Sequence, residues 1–445
     1  MNGTAPASTQ AKEATWFGHP RGIATLFFTE MWERFSYYGM RAFLIFYMTD
    51  TARGGLGFEV GRAGRIYGLY TGSVWLATIG GGIVADWLLG QYRSVFLGAL
   101  LITAGHFSLA FHDLPFFYAG LILIVIGTGL LKPNVSTMVG SLYAPGDPRR
   151  DAGFSIFYMG INLGAAIGPI IAGYLAQKVN WHIGFACAGI GMAFGLIQYS
   201  LGRKYLRAGI ERLEQQPKPK AEAAATSSSG FTSVEWKRLA AVFVFFLFAS
   251  LFWAGYEQAG STLNLFADRY TRLSVFGYSF PSSWFQSVPA IFVITLAPVF
   301  AWLWVRLGPK EPTSPVKFTI ALILVGLSYL LLVPGSAIAQ NSGIRVSPLW
   351  LVGVYFLQVT GELCLNPVGM SMVTKLAPHR LVGMMMGVWF LAIAVGDFIA
   401  GYLVGFFKTL PLIKLFGAVA LVEIAAAFLL FLLIKPLKRL MGGVH

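Results

Sequence analysis

The sequence has few charged residues and few cysteines, and each shortage excludes a class of protein. Charged residues make up 12% of the 445 positions, about half the share found in soluble globular proteins. The two cysteines, Cys187 and Cys364, fall in apolar segments, so neither a disulfide framework nor a CxxC metal site is expected. The first twenty-two residues are polar and show no cleavable signal pattern. We expect the first apolar segment to remain as an uncleaved anchor.

Apolar residues are correspondingly abundant. They form 56% of the chain. The mean hydropathy of the chain, +0.66, is too high for a soluble globular protein. The sequence predicts an all-α membrane protein with twelve transmembrane helices, because β-barrel spans would be short and alternating. The twelve apolar segments have the limits 23–49, 65–88, 94–111, 115–141, 152–177, 183–202, 236–264, 282–306, 316–335, 348–374, 381–407 and 411–435.

A polar stretch divides these segments into two sets of six. It is first charged, then rich in Pro and Lys, then rich in Ala and Ser, which is typical of a solvated linker. A short surface helix is expected at its start. The predicted parts are an N-terminal tail 1–22, a six-helix bundle 23–205, a linker 206–233, a second six-helix bundle 234–435 and a C-terminal tail 436–445.

The basic residues fix the predicted orientation. With both termini in the cytoplasm, 21 of the 33 Lys and Arg residues lie on the cytoplasmic side, nine lie outside and three lie within spans. This asymmetry obeys the positive-inside rule and predicts a multi-pass protein of the plasma (inner) membrane. The net charge of +14 would suggest nucleic acid in a soluble protein, but here it lines a membrane face. We therefore expect a lipid partner and no nucleic acid.

Two six-helix halves joined by a cytoplasmic linker resemble the plan of the major facilitator superfamily. One local motif supports this resemblance. The stretch "GGGIVADWLLGQYR" carries Gly82, Asp86, Gly90 and Arg93 at the spacing of that superfamily's cytoplasmic loop motif. The alternative is a Gly-rich turn after an apolar helix. The motif is favoured because a lone Asp near a helix end needs a partner.

The first predicted span carries charges that lipid would not tolerate. Each buried charge costs about 2.5–3.5 kcal/mol on insertion scales, and residues three, four or seven apart share one helical face. The alternative to a functional site is a fixed salt-bridge cluster that joins helices. Function is favoured, because two acids beside one arginine leave a carboxylate free to titrate. This polar face consists of Glu30, Glu33, Arg34, Tyr37, Tyr38 and Arg41.

Three further charges lie in other predicted spans. Lys132 falls in the fourth span, Glu257 in the seventh and Glu362 in the tenth. In the superfamily plan the first, fourth, seventh and tenth spans line a central cavity. Every deep charge is thus expected on a cavity helix, as for groups that form a solute pathway.

With these residues identified, the chain resembles the proton-coupled oligopeptide transporters, the POT or PTR family. The resemblance covers nearly the whole chain. The family's ExxER signature of helix one is matched by "EMWERFSYYG", and its helix-five signature by "FYMGINLGAAIGP". Helices seven, ten and eleven are matched by "FWAGYEQAGS", "GELCLNPVGMSMVTKLAP" and "GMMMGVWFLAIAVGDFIAG". Five motifs in the right order are more specific than an ExxER motif alone.

The resemblance implies a division of roles among the charged residues. Arg41 corresponds to an arginine that pairs with the helix-seven acid, Glu257, and closes the outer mouth. Lys132 and Glu362 correspond to a pair between helices four and ten that closes the inner mouth. The group that couples protons to transport corresponds to Glu30, Glu33 and Arg34. Protonation of one ExxER acid would release Arg34 to bind a substrate carboxylate.

The resemblance also implies a substrate pocket, in which Glu362 receives the amino terminus of a peptide. Aromatic residues would enclose varied side chains, although for Trp75 helix packing is an equal alternative. For Asn162 an interhelical hydrogen bond is as good an explanation as substrate contact. The expected substrate-binding residues are Arg34, Tyr37, Tyr38, Trp75, Lys132, Asn162, Glu362 and Trp389.

The sequence departs from the family pattern at several pocket positions. Trp75 stands where a Tyr is usual, Pro289 where many members have Asn, and Asn366 where Ser is common. Gly68 stands where mammalian members have a titratable His. The linker is too short for the two extra spans that many bacterial members have. These changes leave the proton group intact and put the usual di- and tripeptide specificity in doubt.

The sequence therefore predicts a proton-driven symporter that imports di- or tripeptides by alternating access. We expect it to be monomeric and to use no metal or other cofactor. The alternatives are a carrier of another small solute, such as an anion or an amino-acid conjugate, and a passive channel. An intramembrane enzyme is not expected, because the sequence has no HExxH, GxSxG or paired catalytic Asp motif.

Overall fold

The computed structural model describes residues 15–215, 231–378 and 381–442, without the side chains of residues 382 and 383. The described residues form twelve helices of 19 to 30 residues. They are α1 (Gly22–Thr49), α2 (Val60–Val84), α3 (Gln91–Leu109), α4 (Leu114–Ser141), α5 (Arg150–Lys178), α6 (Trp181–Leu201), α7 (Ser233–Tyr256), α8 (Val288–Leu307), α9 (Ser314–Ser342), α10 (Leu349–Leu376), α11 (Val382–Leu403) and α12 (Leu412–Met441).

Two strand pairs stand outside the helices. Near the N terminus, β1 (Thr15–Trp16) pairs antiparallel with β2 (His19–Pro20). Between α7 and α8, β3 (Ser274–Val275) pairs antiparallel with β4 (Tyr278–Ser279). Each strand has two residues, so these pairs are surface hairpins and the fold is all-α, as predicted.

The helices follow the twelve predicted segments. Ten segments are long and apolar enough to cross a membrane. α1 and α3 are not among them, and in α1 the charged residues interrupt the apolar run. Three C-terminal ends differ from the prediction by six residues or more, and one of them is that of α9, which continues to Ser342 instead of ending at 335. α7 gives way at a 3-10 turn, Glu257–Gly260, to a short helix, Thr262–Tyr270, and α12 continues to Met441 instead of ending at 435.

The linker and tails are only partly described. The expected surface helix is present as Arg203–Glu214, directly after α6. The rest of the predicted linker from 216 to 230 lies outside the described residues, as do 1–14 and 443–445. We call the side of the membrane predicted to be cytoplasmic the inner side, and the opposite side the outer side.

The turn between α2 and α3 contains the predicted loop motif. A π-helical turn, Ala85–Leu89, leads into Gly90, whose φ of 75° favours glycine. The carboxylate of Asp86 accepts a hydrogen bond from Gln91 Nε2 at 2.8 Å, and Arg93 is exposed. The expected partner of the motif aspartate is thus a neighbouring amide in this structure.

Small residues bring α5 against α1. A Cβ atom on Gly164 would lie 2.1 Å from the carbonyl oxygen of Met31, and one on Gly168 would lie 2.4 Å from that of Phe35. Only glycine permits such a close approach of two helix backbones. The small-residue spacing of the helix-five motif therefore holds α1, with its charged face, at a fixed distance from α5.

The two six-helix halves meet closely at the outer side. Gly68 of α2 lies against Gly401 of α11, where a Cβ atom on Gly401 would be 2.5 Å from the Gly68 Cα atom. α5 is joined to the turn before α8 by Gln177, whose amide donates to Ser282 Oγ at 2.8 Å. Ser287 Oγ also donates to the carbonyl oxygen of Ala166 at 2.6 Å. The outer ends of the halves are therefore closed against each other.

Candidate substrate and proton site

A cavity of 210 Å³ lies between the two halves. Eight of the predicted site residues line it, which are Arg34, Tyr38, Arg41, Trp75, Lys132, Asn162, Glu257 and Glu362. They come from α1, α2, α4, α5, α10 and the turn after α7. The charges predicted in spans four, seven and ten do meet at this cavity, but the expectation that every deep charge lies on a cavity helix is wrong, because the buried acids Asp397 and Glu423 lie on α11 and α12.

The cavity continues toward the inner side. An adjoining vestibule of 830 Å³ shares Tyr158, Glu362 and Asn366 with it. The vestibule is also lined by Lys317 and Lys375, at the inner ends of α9 and α10. With the outer ends closed, the cavity is open toward the inner side.

The three charges of the ExxER motif form one buried cluster on α1. Arg34 forms an ion pair with Glu33, in which its Nη2 donates to Glu33 Oε1 at 2.6 Å. Its Nε lies 3.5 Å from Glu30 Oε1. All three side chains are at most 2% exposed, and Glu30 Oε2 has no hydrogen-bond partner in the described structure. One guanidinium is thus shared by two carboxylates, as the helical spacing predicts.

Aromatic rings surround the cationic side of this cluster. The Arg34 guanidinium lies 5.1 Å from the ring centre of Tyr37 and 5.8 Å from that of Tyr38. Lys132 Nζ lies 4.1 Å above the Trp75 ring. Cation–π contacts of this kind stabilise partly desolvated cations. Trp75, which replaces the usual Tyr, therefore supports the charge of Lys132 as well as lining the cavity.

A second charged cluster closes the outer end of the cavity. Arg41 of α1 forms an ion pair with Glu257, across the two halves, and its Nε donates to Tyr67 Oη at 2.5 Å. Gly260 makes room for this arrangement, because a Cβ atom there would lie 1.8 Å from Tyr67 Oη. The structure thus brings together the two residues of the expected outer pair.

Glu362 lies on the opposite wall, on α10. Its Oε2 accepts a hydrogen bond from Tyr256 Oη at 2.5 Å, and Asn366 lies four residues further along the same helix. Asn366 and Pro289, two departures from the family pattern, both line the cavity with Glu362. The residues at which the sequence departs from the family pattern therefore lie around the expected amine site.

The expected inner pair is not formed in this state. No salt bridge joins Lys132 to Glu362 among the residues that the structure describes, because Lys132 lies over Trp75 and Glu362 is bonded to Tyr256. The vestibule borders α10 and not α4, so the absent pair agrees with a cavity that is open toward the inner side. The role of this pair as a gate stays a prediction.

Several predicted residues do not reach the cavity. Glu30 and Glu33 lie behind Arg34, and Tyr37 is 3% exposed beside Tyr38. Trp389 is 1% exposed and packs its ring over Gly369, where a Cβ atom would be 2.0 Å away. In this state Tyr37 and Trp389 act in packing, and a direct substrate contact would need movement of their helices.

The structure adds residues to the site that were not predicted. Tyr256 and Tyr158 line the cavity, but an aromatic residue in an apolar span carries no specific signal. Asp397 of α11 is 1% exposed beside the outer cluster. A lone acid in an apolar span is a recognisable signal, and it could have been found within the helix-eleven motif.

The site combines fixed charge of both signs with limited water access. Acidic Glu362 faces basic Arg34 and Lys132 across a cavity about the size of a few small side chains. Such an arrangement can hold a small solute that has an amine and a carboxylate. Within the described residues there is no group of three or more His, Cys, Asp and Glu residues placed to hold a metal ion.

Known proteins match the chain along most of its length. The sequence model of the POT family matches residues 92–225 and 231–421. A di-/tripeptide transporter of Lactococcus lactis subsp. cremoris is 38% identical, over 97% of this chain and 99% of that protein.

Solved structures agree with these matches. A mutant of peptide transporter POT in complex with alafosfalin gives a TM-score of 0.88 at 39% identity, over 97% of this chain and 98% of the other. A POT family transporter in complex with 5-aminolevulinic acid gives a TM-score of 0.86 at 34% identity, over 96% and 98% of the two chains. The predicted major facilitator fold and the resemblance read from the motifs are both confirmed.

Proposed function

Because the chain belongs to the POT family, we propose that it is a proton-coupled symporter that imports di- and tripeptides by alternating access. The main support for this proposal is the central cavity, which has groups of opposite charge on its walls. Glu362 lies on one wall, and Arg34 and Lys132 lie on the other. A zwitterionic peptide presents an amine and a carboxylate to complementary groups of this kind. Aromatic walls accept varied side chains without specific hydrogen bonds.

The ExxER cluster supplies the proton site of this proposal. Two carboxylates share one guanidinium, so a proton on either acid weakens the hold on Arg34. Arg34 lines the substrate cavity, and its freed charge then binds a substrate carboxylate. Proton and substrate bind cooperatively, because each favours the same position of Arg34.

Alternating access uses the two pairs that link the halves. The outer pair, Arg41 and Glu257, is formed while the inner side is open. Formation of the Lys132–Glu362 pair closes the inner side and accompanies release of the outer pair. Substrate and proton bias which pair forms, so the cavity opens to each side in turn.

The experiment that tests the function is uptake of labelled dipeptides into liposomes with an imposed inward proton gradient. We expect accumulation above the equilibrium level, which a channel cannot produce. Dissipation of the gradient with a proton ionophore is the matched control. Equal internal and external peptide at steady state, with the gradient intact, would contradict a symporter.

The amine site has its own test in Glu362. A charge-assisted hydrogen bond to a peptide amine is worth about 1.5–3 kcal/mol, so Glu362→Gln should weaken dipeptide binding roughly ten- to a hundredfold. N-acetylated dipeptides should bind the unaltered protein poorly. Tyr256→Phe, which removes the hydrogen bond to Glu362 but keeps the acid, is the control. Equal competition by free and acetylated dipeptides would contradict the amine site.

A second candidate substrate class has one specific observation in its favour. A structural relative was solved with 5-aminolevulinic acid, and the pocket here departs from the family pattern at Trp75, Pro289 and Asn366. The alternative is a small amino acid-like solute carried by the same proton machinery. Competition of this compound against a labelled dipeptide separates the two classes.

The remaining features of the proposal concern the setting of the protein. We propose a monomer in the plasma (inner) membrane with both termini in the cytoplasm, on the basis of the distribution of Lys and Arg residues. It consists of the bundle 23–205 and a second bundle that runs from 234 to the end of α12 at Met441, joined by the linker 206–233. Its partners are protons, a small peptide and lipid, without an enzymatic activity or a bound cofactor.

A further inference from the structure

One buried acid has no part in the function proposed above. Asp397 lies on α11, in the outer half of the membrane, where α11 crosses α2 of the other half. The backbones meet closely here, since a Cβ atom on Gly68 would lie 2.7 Å from the carbonyl oxygen of Asp397. The side chain is directed toward Thr71 and Trp75 of α2. Asp397 is therefore buried by the contact between the two halves.

Asp397 has no cationic partner of its own. It is 1% exposed, its Oδ2 atom accepts no hydrogen bond, and it forms no salt bridge within the described structure. The nearest cation, Arg41, is held by Glu257 and Tyr67. An unpaired carboxylate is very unfavourable in such a site, whereas the neutral acid is tolerated.

The other titratable groups around Asp397 come from every neighbouring element. They are Arg41 and Tyr37 of α1, Tyr67 of α2, Glu257 of the turn after α7, and Tyr355 of α10 beside Tyr67. Two carboxylates, of Asp397 and Glu257, thus face a single guanidinium. Only one of them can be neutralised by Arg41, so the closed arrangement requires a proton for the other.

We propose that Asp397 is a second proton-binding carboxylate, which must be protonated for the outer side of the protein to close. This inference rests on the proposed alternating access, but not on the identity of the substrate. When the halves separate at the outer side, α2 leaves α11 and water reaches Asp397. The hydrated carboxylate ionises, and the ionised form resists closure.

The location of Asp397 determines what its proton can do. It is 1% exposed and absent from the lining of the cavity that opens inward, so the water of that cavity does not reach its carboxylate in this state. Its proton therefore enters from the outer side and returns there. Asp397 makes closure dependent on external pH without adding to the number of protons carried per substrate.

The test measures the opening of the outer side directly. Spin labels on Ala52→Cys and Thr409→Cys, two exposed outer sites on opposite halves, report the distance between the halves in lipid nanodiscs. Cys187 and Cys364 are replaced by alanine in every sample. No peptide is added, so a failure of the proposed transport function does not affect the result.

Lower pH should increase the closed fraction of the otherwise unaltered protein. Each proton taken up on closure changes the ratio of closed to open protein by up to about tenfold per pH unit. Above the ordinary range of an exposed aspartate, near pH 4, Asp397→Asn should lose about this much of the pH dependence. Because asparagine is neutral, the variant should remain closed at higher pH than the parent.

Glu423→Gln is the matched control. Glu423 is also buried and its Oε2 atom also lacks a partner in the described structure, but it contacts Gly255 and Gly326 within its own half. Its neutralisation should leave the pH dependence unchanged. Asp397→Ser provides a second neutral variant if the asparagine variant is poorly produced. A pH dependence equal to that of the parent in both, or a permanently open outer side, would overturn the proposal.

Discussion

The ion pair between Arg41 and Glu257 gives the sharpest test of the outer gate. The pair spans the two halves, and both side chains are less than 10% exposed. Glu257→Gln removes one charge, Arg41→Met removes the other, and the double variant removes both. Each single change leaves a buried charge without its partner, whereas the double change leaves no unpaired charge. The cost of the double variant should therefore be no greater than that of either single variant.

The expected size follows from the difference between the two states. In the closed state the pair is desolvated, and a hydrogen bond between charged groups there is worth about 1.5–3 kcal/mol. In the open state water replaces the lost partner, so little is lost. A single variant should thus shift the closed-to-open ratio by about 2 kcal/mol, or roughly thirtyfold. Glu257→Gln should cost less than Arg41→Met, because Asp397 can ionise and pair with Arg41.

The assay is the distance between labels on residues 52 and 409. We expect a larger open fraction for each single variant and near-recovery of the closed fraction in the double variant. The exposed pair of Arg207 and Glu211, which are 82% and 52% exposed, is the control, because removing such a pair costs little. Additive shifts in the double variant, or unchanged distances in both single variants, would refute the gate.

Two further predictions test the proton group and the close contact at the gate. Glu33→Gln should abolish proton-driven accumulation and retain counterflow exchange, because the amide binds Arg34 but cannot titrate; uphill transport at the parental level would exclude Glu33 as the coupling acid. Gly260→Ala should open the outer side, because its Cβ atom would lie 1.8 Å from Tyr67 Oη. The control is Gly417→Ala, whose Cβ atom would have no atom within 4 Å. This control should behave as the parent in the distance assay.

The cluster on α1 could be predicted from sequence because its geometry is local. Glu30 and Arg34 are four residues apart on one helix, and Glu33 is adjacent to Arg34, so any helix through them brings these charges together. The apolar segments likewise predict the helices, because length and hydropathy decide whether a segment spans a membrane. Their ends are less certain, since the break after Tyr256 depends on the close packing of Gly260 against α2.

Contacts between helices that are distant in sequence could not be predicted from the local residue pattern alone. The expectation that Arg41 meets Glu257 came from the family resemblance, and nothing in the two segments alone specifies it. The sequence is also the same in every conformational state of the protein, whereas the structure shows one of these states. Lys132 and Glu362 are apart because the inner side is open, and Trp389 is packed against Gly369. Which residues line the cavity thus depends on the positions of the halves.

The two charged clusters share one design, with two carboxylates and one arginine, but they differ in access to water. In the inner cluster, Arg34 lines the central cavity and shields Glu30 and Glu33 from it. A proton there can be taken up while the cavity faces one side and released when it faces the other. In the outer cluster, the acid without a partner, Asp397, is reached only when α2 and α11 separate. A site open to one side alone cannot move protons across a membrane, so in the proposed mechanism coupling depends on the inner cluster, and Asp397 sets the external pH at which the cycle proceeds.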